Sequence, residues 1–116
     1  MGREFQIEVG PIERHDGEER CRVAVRVSDD LRYLEGHFPG DPIVPGIAQL
    51  LPIVHDPVAT LWPDLGPCRA IKRLKFRAAL RPGHALEVTL RRQGDKVRFG
   101  ITRGETRCTD GVLVYG

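Results

Sequence analysis

Long apolar runs are missing from this chain, and so is any strong excess of one charge. Nowhere do apolar residues continue for the ~20 positions that a membrane-crossing helix needs. The 18 Lys and Arg against 16 Asp and Glu leave a net charge of +2, too weak to point to nucleic acid by itself. Aromatic residues are only 6% of the chain, and they show none of the patterns that stack on single-stranded bases. Cysteine occurs three times, as Cys21, Cys68 and Cys108. These are odd in number, widely spaced and without a C-x-x-C pair, so free thiols are expected and a zinc site is not. The start, MGREFQIEV, carries charges where a secretory signal needs an apolar stretch, and it lacks the Ser or Thr of a myristoylation signal. The expectation is a cytoplasmic protein without a membrane span. Repeats and low-complexity segments are absent too. What remains is ordinary: 116 residues with 41% hydrophobic and 29% charged, enough for one ordered domain over 1–116.

Proline and glycine, by contrast, are concentrated. Tyr33 to Leu51 reads YLEGHFPGDPIVPGIAQLL, with Pro39, Gly40, Pro42, Pro45 and Gly46 packed behind His37. Proline fixes φ and removes an amide donor, while glycine opens angles closed to other residues. A stretch so constrained predicts a rigid loop that holds His37 in one place and feeds a helix from near Gly46.

Around that stretch the periodicity is mostly two. From Arg3 to Glu13, Phe5, Ile7 and Val9 alternate with Glu4, Gln6 and Glu8, which predicts a half-buried strand. HDGEER is polar and holds an Asp-Gly pair, the mark of a hairpin turn. Cys21, Val23, Val25 and Val27 then alternate with Arg22, Ala24 and Arg26, predicting a second strand antiparallel to the first. Gly46 to Trp62 is too long and apolar for a strand, and its apolar residues recur at three- and four-residue steps. It predicts a buried helix, kinked or in two parts, because Pro52 and Pro57 each remove an interior amide at a cost of ~3 kcal/mol. PDLGP is a turn. Ile71 to Leu80 alternates Leu74, Phe76, Ala78 and Leu80 against basic residues, and Ala85–Arg91, Lys96–Thr102 and Thr106–Tyr115 follow as strands joined by QGD and RGE turns. Two strands, one greasy helix and four strands predict an α+β domain, an antiparallel sheet of about six strands wrapped round the helix.

Gly36 to Gly46, GHFPGDPIVPG, resembles the signature of the hotdog-fold 3-hydroxyacyl-[acyl-carrier-protein] dehydratases. GIAQL, IKRLKF (Ile71–Phe76) and LRPG (Leu80–Gly83) bring it nearer the small dehydratases of aryl-polyene gene clusters. The resemblance implies elimination of water from a 3-hydroxyacyl thioester to a trans-2-enoyl thioester, with no cofactor and no metal. It aligns His37 with the family's catalytic histidine, and imidazole is suited to take a carbon-bound proton. It aligns Gly46 with the glycine whose amide, unpaired at a helix start, faces the thioester oxygen. The family's helix carboxylate falls at Leu51, which can neither donate a proton nor orient water. Two substitutes lie nearby: His55, one helical turn on, and Asp56, about 100° further round. For His55 the competing reading is a helix histidine satisfied by a backbone carbonyl freed by proline. Phe38, Pro45, Gln49 and Leu51 are the expected substrate-binding residues.

Partners follow from the same resemblance: an acyl carrier protein or CoA thioester as substrate, and a homodimer with active sites at its interface. No nucleic acid is expected. Arg69, Lys72, Arg73, Lys75, Arg77 and Arg81 form a basic strip, either a docking surface for an acidic carrier or the solvated face of a strand. Two other functions stay open, set by Leu51. One is a weak or inactive acyl-binding partner of an active dehydratase. The other is a hotdog thioesterase, ranked last because Asp41 is its single loop candidate.

Overall fold

Alternation of apolar and polar residues builds a sheet with one wet and one dry face. In the computed structural model, which describes residues 5–27, 53–78 and 85–116, that sheet has seven strands. They are β1 (Phe5–Val9), β2 (Glu13–His15), β3 (Glu18–Val27), β4 (Cys68–Phe76), β5 (Ala85–Gln93), β6 (Lys96–Arg103) and β7 (Thr106–Tyr115), with one helix, α1 (Asp56–Leu61), between β3 and β4. The order across the sheet is β1-β3-β5-β6-β7-β4, with β2 beside the start of β3, and every pairing is antiparallel.

The strand beyond the expected six is β2. The first segment does not run unbroken to Glu13, because Pro11 has no amide for the ladder. Just before it, the Gly10 amide donates to the Arg22 carbonyl at 2.9 Å. A Cβ on Gly10 would sit 2.8 Å from that same oxygen, so a side chain there would force the strands apart. The chain then re-pairs as β2 and reverses through Asp16 (φ 48) and Gly17 (φ 80). Two successive left-handed residues make the tight turn that Asp-Gly favours.

The dry face follows the register. Cys21, Leu90 and Phe99 lie in one row across β3, β5 and β6, and Val23, Val88 and Ile101 in the next. All six are buried. Against them pack Ile53, Val54, Val58 and Trp62, the last three at steps of four, which is one stripe of a helix. Among the described residues the helical run is irregular where it begins. Residues 53–55 form a wider, π-type turn, and α1 begins with Pro57 in its first turn, where no amide donor is needed. The segment holding Pro52 lies outside the described residues.

At its far end the helix is tied to the sheet. The Trp62 Nε1–H donates to Glu19 at 3.3 Å, and the Arg92 guanidinium lies 5.9 Å from the indole centroid. Arg92 also forks onto Asp64 at 3.0 and 2.7 Å. Glu19 and Arg92 are opposite each other in the β3–β5 ladder, so one cross-strand pair grips the helix end.

On the wet face, Glu18 is a nearly buried carboxylate that accepts from Arg91 and, at 3.3 Å, from Arg20. The Arg91 hydrogen bond is the main reason its pKa is held below the ordinary carboxylate value, with burial opposing and Arg20 assisting. A folded-state pKa that is depressed contributes stability above the unfolded value and loses it as pH falls through the folded one. Glu18→Gln is therefore expected to flatten the acid limb of the stability curve below about pH 4.5. Urea midpoints taken from pH 7 down to pH 3, about the carboxylate range, check this. An acid limb as steep as the wild type's would refute it.

β4 forms one edge of the sheet and departs from the simple alternation expected of it. Its register with β7 shifts between Lys72 and Lys75, and beyond Phe76 the amides of Arg77 and Ala78 both turn to the Cys108 carbonyl. Phe76 is thus 52% exposed rather than inward, and Ile71 is 44% exposed. No helix among the described residues is long and apolar enough to cross a membrane.

Candidate active site

The π-type turn sets one polar side chain at the margin of the dry face, His55. It is half-buried, with φ −65 and ψ −44, so the backbone stays helical through the junction. Its Nδ1 lies 3.1 Å from the hydroxyl of Tyr115. The two rings are nearly parallel, 10° apart with centroids at 6.0 Å. Tyr115 is an inward residue at the end of β7 and only 2% exposed. Burial, with the nearby Cys68 thiol adding to it, pushes its phenol well above the ordinary tyrosine value, so the group stays protonated.

A buried phenol proton needs an acceptor. His55 Nδ1 is placed to be that acceptor, which leaves the proton of a neutral imidazole on Nε2. A hydroxyl also has lone pairs. If His55 becomes protonated, its Nδ1–H is paired with the same oxygen after the hydroxyl turns. Tyr115 thus serves both charge states of the ring, and Nε2 is the atom left for chemistry. A carboxylate in the same place could only accept, and would hold the neutral ring in the other tautomer, with its proton on Nδ1.

Of the two substitutes for a carboxylate at Leu51, the fold brings one inward. Asp56 is exposed in the first turn of α1, where its carbonyl accepts from the Thr60 hydroxyl at 3.1 Å. The His55 partner is a side chain rather than a freed backbone carbonyl. His37, Phe38, Pro45, Gly46, Gln49 and Leu51 lie outside the described residues, as does Asp41. The basic strip divides: Arg77 is neutralised by Asp110 at 2.8 Å, whereas Lys72 and Arg73 stand in different surroundings. All three cysteines are free thiols, Cys21 and Cys108 buried and Cys68 exposed.

Tyr115 is the residue that sequence reasoning missed. It stands 60 positions from His55, and no local motif links them. The available signal is its place in the alternation Gly111, Leu113, Tyr115, which puts a polar-tipped side chain on the dry face.

Comparison with known proteins bears on this arrangement. Residues 13–112 match the family model described as ApeI-like: ApeI dehydratase. A 3-hydroxyacyl-[acyl-carrier-protein] dehydratase FabZ from Latilactobacillus sakei is 34% identical over 95 residues, covering 72% of this chain and 68% of the relative. A protein of the same name from Chloroflexus aggregans is 35% identical over 89 residues, covering 72% of this chain and 60% of the relative. Among solved structures, an uncharacterized protein from Erwinia carotovora superposes with a TM-score of 0.77 at 24% identity, covering 94% of this chain and 92% of that one. The dehydratase heterocomplex ApeI:P from Xenorhabdus doucetiae gives 0.76 at 20% identity, covering 95% of this chain and 97% of that one. These two likenesses carry the fold, a hotdog sheet around one helix. By its sequence, over most of its length, the chain belongs to the ApeI-like dehydratase family.

Proposed function

We propose that this chain eliminates water from 3-hydroxyacyl thioesters, presented on an acyl carrier protein or as CoA thioesters, to give trans-2-enoyl thioesters. The observation that carries the reading is the His55–Tyr115 contact. It puts an oriented proton donor at the start of α1, four positions along the sequence from Leu51, where the family's pattern has a carboxylate. In this scheme His37 removes the C2 proton, and the Gly46 amide stabilises the charge that develops on the thioester oxygen. His55, carrying a proton on each ring nitrogen, passes the Nε2 proton to the C3 hydroxyl as the C–O bond breaks, so that water leaves and the ring becomes neutral with its remaining proton on Nδ1 toward Tyr115. Tyr115 keeps the ring aimed before and after that transfer. The acyl chain lies beside Phe38, Pro45, Gln49 and Leu51.

A homodimer with its active sites at the interface belongs to the same proposal. What supports it is the β4 edge, where Ile71 and Phe76 are exposed beside an edge strand that a second copy would cover. A role in fatty-acid or polyene-type biosynthesis stands as part of this reading, supported by relatives named as 3-hydroxyacyl-[acyl-carrier-protein] dehydratases. The second reading, an acyl-binding partner in a mixed dehydratase complex, is favoured by Leu51 alone.

The test is direct. The purified chain is incubated with 3-hydroxyacyl and trans-2-enoyl thioesters of both carriers, and the products are read by mass spectrometry. Interconversion in both directions is the expected result. Binding without conversion would replace this reading with the partner role, and release of free acid would replace it with a thioesterase.

A further inference from the structure

The outer face of the sheet, opposite His55, carries charge that folding does not call for. Arg20 faces Arg91 across β3–β5, and Arg91 faces Arg98 across β5–β6. Like charges directly opposite in a ladder are unfavourable. Glu18 offsets Arg91 and Arg20 at one end of this row. Lys72, Arg73, Lys96 and Arg98 have no acidic partner among the described residues.

These four converge on a cavity of about 290 Å³, with Glu18 as the one carboxylate in its lining. Lys96 and Arg98 of β6 form one wall. Val112 and Val114 of β7 form the floor, paired with Arg98 and Lys96 respectively. Lys72, paired with Val112 from the other side, begins the second wall. Two ladder spacings separate the walls, about 10 Å at the backbone.

The bulge completes that wall. Consecutive residues of a regular strand point to opposite faces, yet Lys72 and Arg73 both line this cavity. From Lys72 to Lys75 the strand takes three steps where β7 takes two, from Val112 to Asp110. The extra residue is absorbed at Arg73, whose φ of 55 is a left-handed angle rarely held by a residue with a Cβ. Bulges re-aim side chains, and such angles persist where function uses them. Here the bulge turns a second cation into the cavity.

We propose that this cavity binds a small organic anion carrying two phosphates, with the phosphates between the two basic walls and the organic body on the valine floor. Guanidinium forks match phosphate oxygens, and four unpaired cations exceed what a single phosphate would neutralise. Two sources share this chemistry, a free nucleoside diphosphate and the nucleotide end of a CoA thioester. The site lies on the other face of the sheet from His55, so its fate is separate from that of the dehydratase reading.

Isothermal titration with ADP, CoA, pyrophosphate and orthophosphate tests it, on wild type, Lys72→Ala/Arg98→Ala and Arg73→Gly. All three substituted side chains are exposed, and thermal melts verify that the variants fold. Wild type is expected to bind ADP or CoA more tightly than orthophosphate, with the tighter of the two naming the source. The double variant should lose at least about tenfold in affinity. Arg73→Gly should melt higher, since glycine accepts the left-handed angle, while binding more weakly. No binding by wild type at about 1 mM ligand, or unchanged affinity in the double variant, would overturn the proposal. So would retention of an acidic carrier protein by these residues in the absence of any nucleotide binding.

Discussion

His55→Ala is expected to slow dehydration by about 100- to 10,000-fold, the usual worth of a positioned acid or base. The loss should fall on kcat, because the imidazole acts on the departing hydroxyl rather than on the acyl chain. His37→Ala should cost a comparable factor from the other side of the reaction. Tyr115→Phe is the more discriminating change. It keeps the ring that packs on the dry face and removes one hydrogen bond, worth about 0.5–1.5 kcal/mol, so a drop of up to about tenfold is expected. Steady-state rates with a 3-hydroxyacyl thioester read all three. If His55→Ala is fully active, the donor is another group, and His55 is an ordinary half-buried histidine. Leu51→Glu sharpens the point: if it raises the rate in wild type and equally in His55→Ala, His55 contributes little to turnover.

Trp62→Ala is expected to destabilise the fold by about 3–5 kcal/mol. Trp62 is 3% exposed and closes the C-terminal end of the helix against the sheet. Its loss opens a cavity and also leaves Glu19 and Arg92 without the indole between them. For a domain of this size such a loss is a large share of the total stability. Trp62→Phe separates the contributions: it keeps most of the apolar volume and gives up the Nε1–H bond to Glu19, so about 1–2 kcal/mol should be lost. Urea unfolding followed by far-ultraviolet dichroism measures both. A shift under about 1 kcal/mol for Trp62→Ala would mean that the helix is held by Ile53, Val54 and Val58 without this anchor.

Much of the architecture was legible before any coordinates. Strict alternation in Cys21–Val27, Ala85–Arg91 and Lys96–Thr102 assigns each side chain to a face, because the strand period is two and a one-residue slip would invert the core. Asp16–Gly17 announced its turn through the angles it alone accepts cheaply. Pro57 announced the start of α1, because a residue without an amide donor fits the first turn of a helix. Beta-strand edges were less readable. KRLKF alternates as cleanly as any other strand, yet the bulge at Arg73 breaks the pattern, since a bulge is set by pairing with β7 rather than by local composition.

The candidate site divides along the same line. The loop signature points to His37 and Gly46 through its resemblance to the dehydratases, and the chain itself offers His55, with Asp56 beside it, as a substitute for a carboxylate at Leu51. The choice between those two was tertiary. The π-type turn of residues 53–55 sends His55 toward β7 while Asp56 lies in water, and the partner that His55 meets is Tyr115, at the far end of β7. Strand alternation and proline chemistry are written in neighbours, so the amino-acid sequence by itself determined the sheet, the start of α1 and the family. Hydrogen bonds between residues sixty positions apart, and cations gathered from separate strands, depend on register across the sheet, which only the folded chain decides.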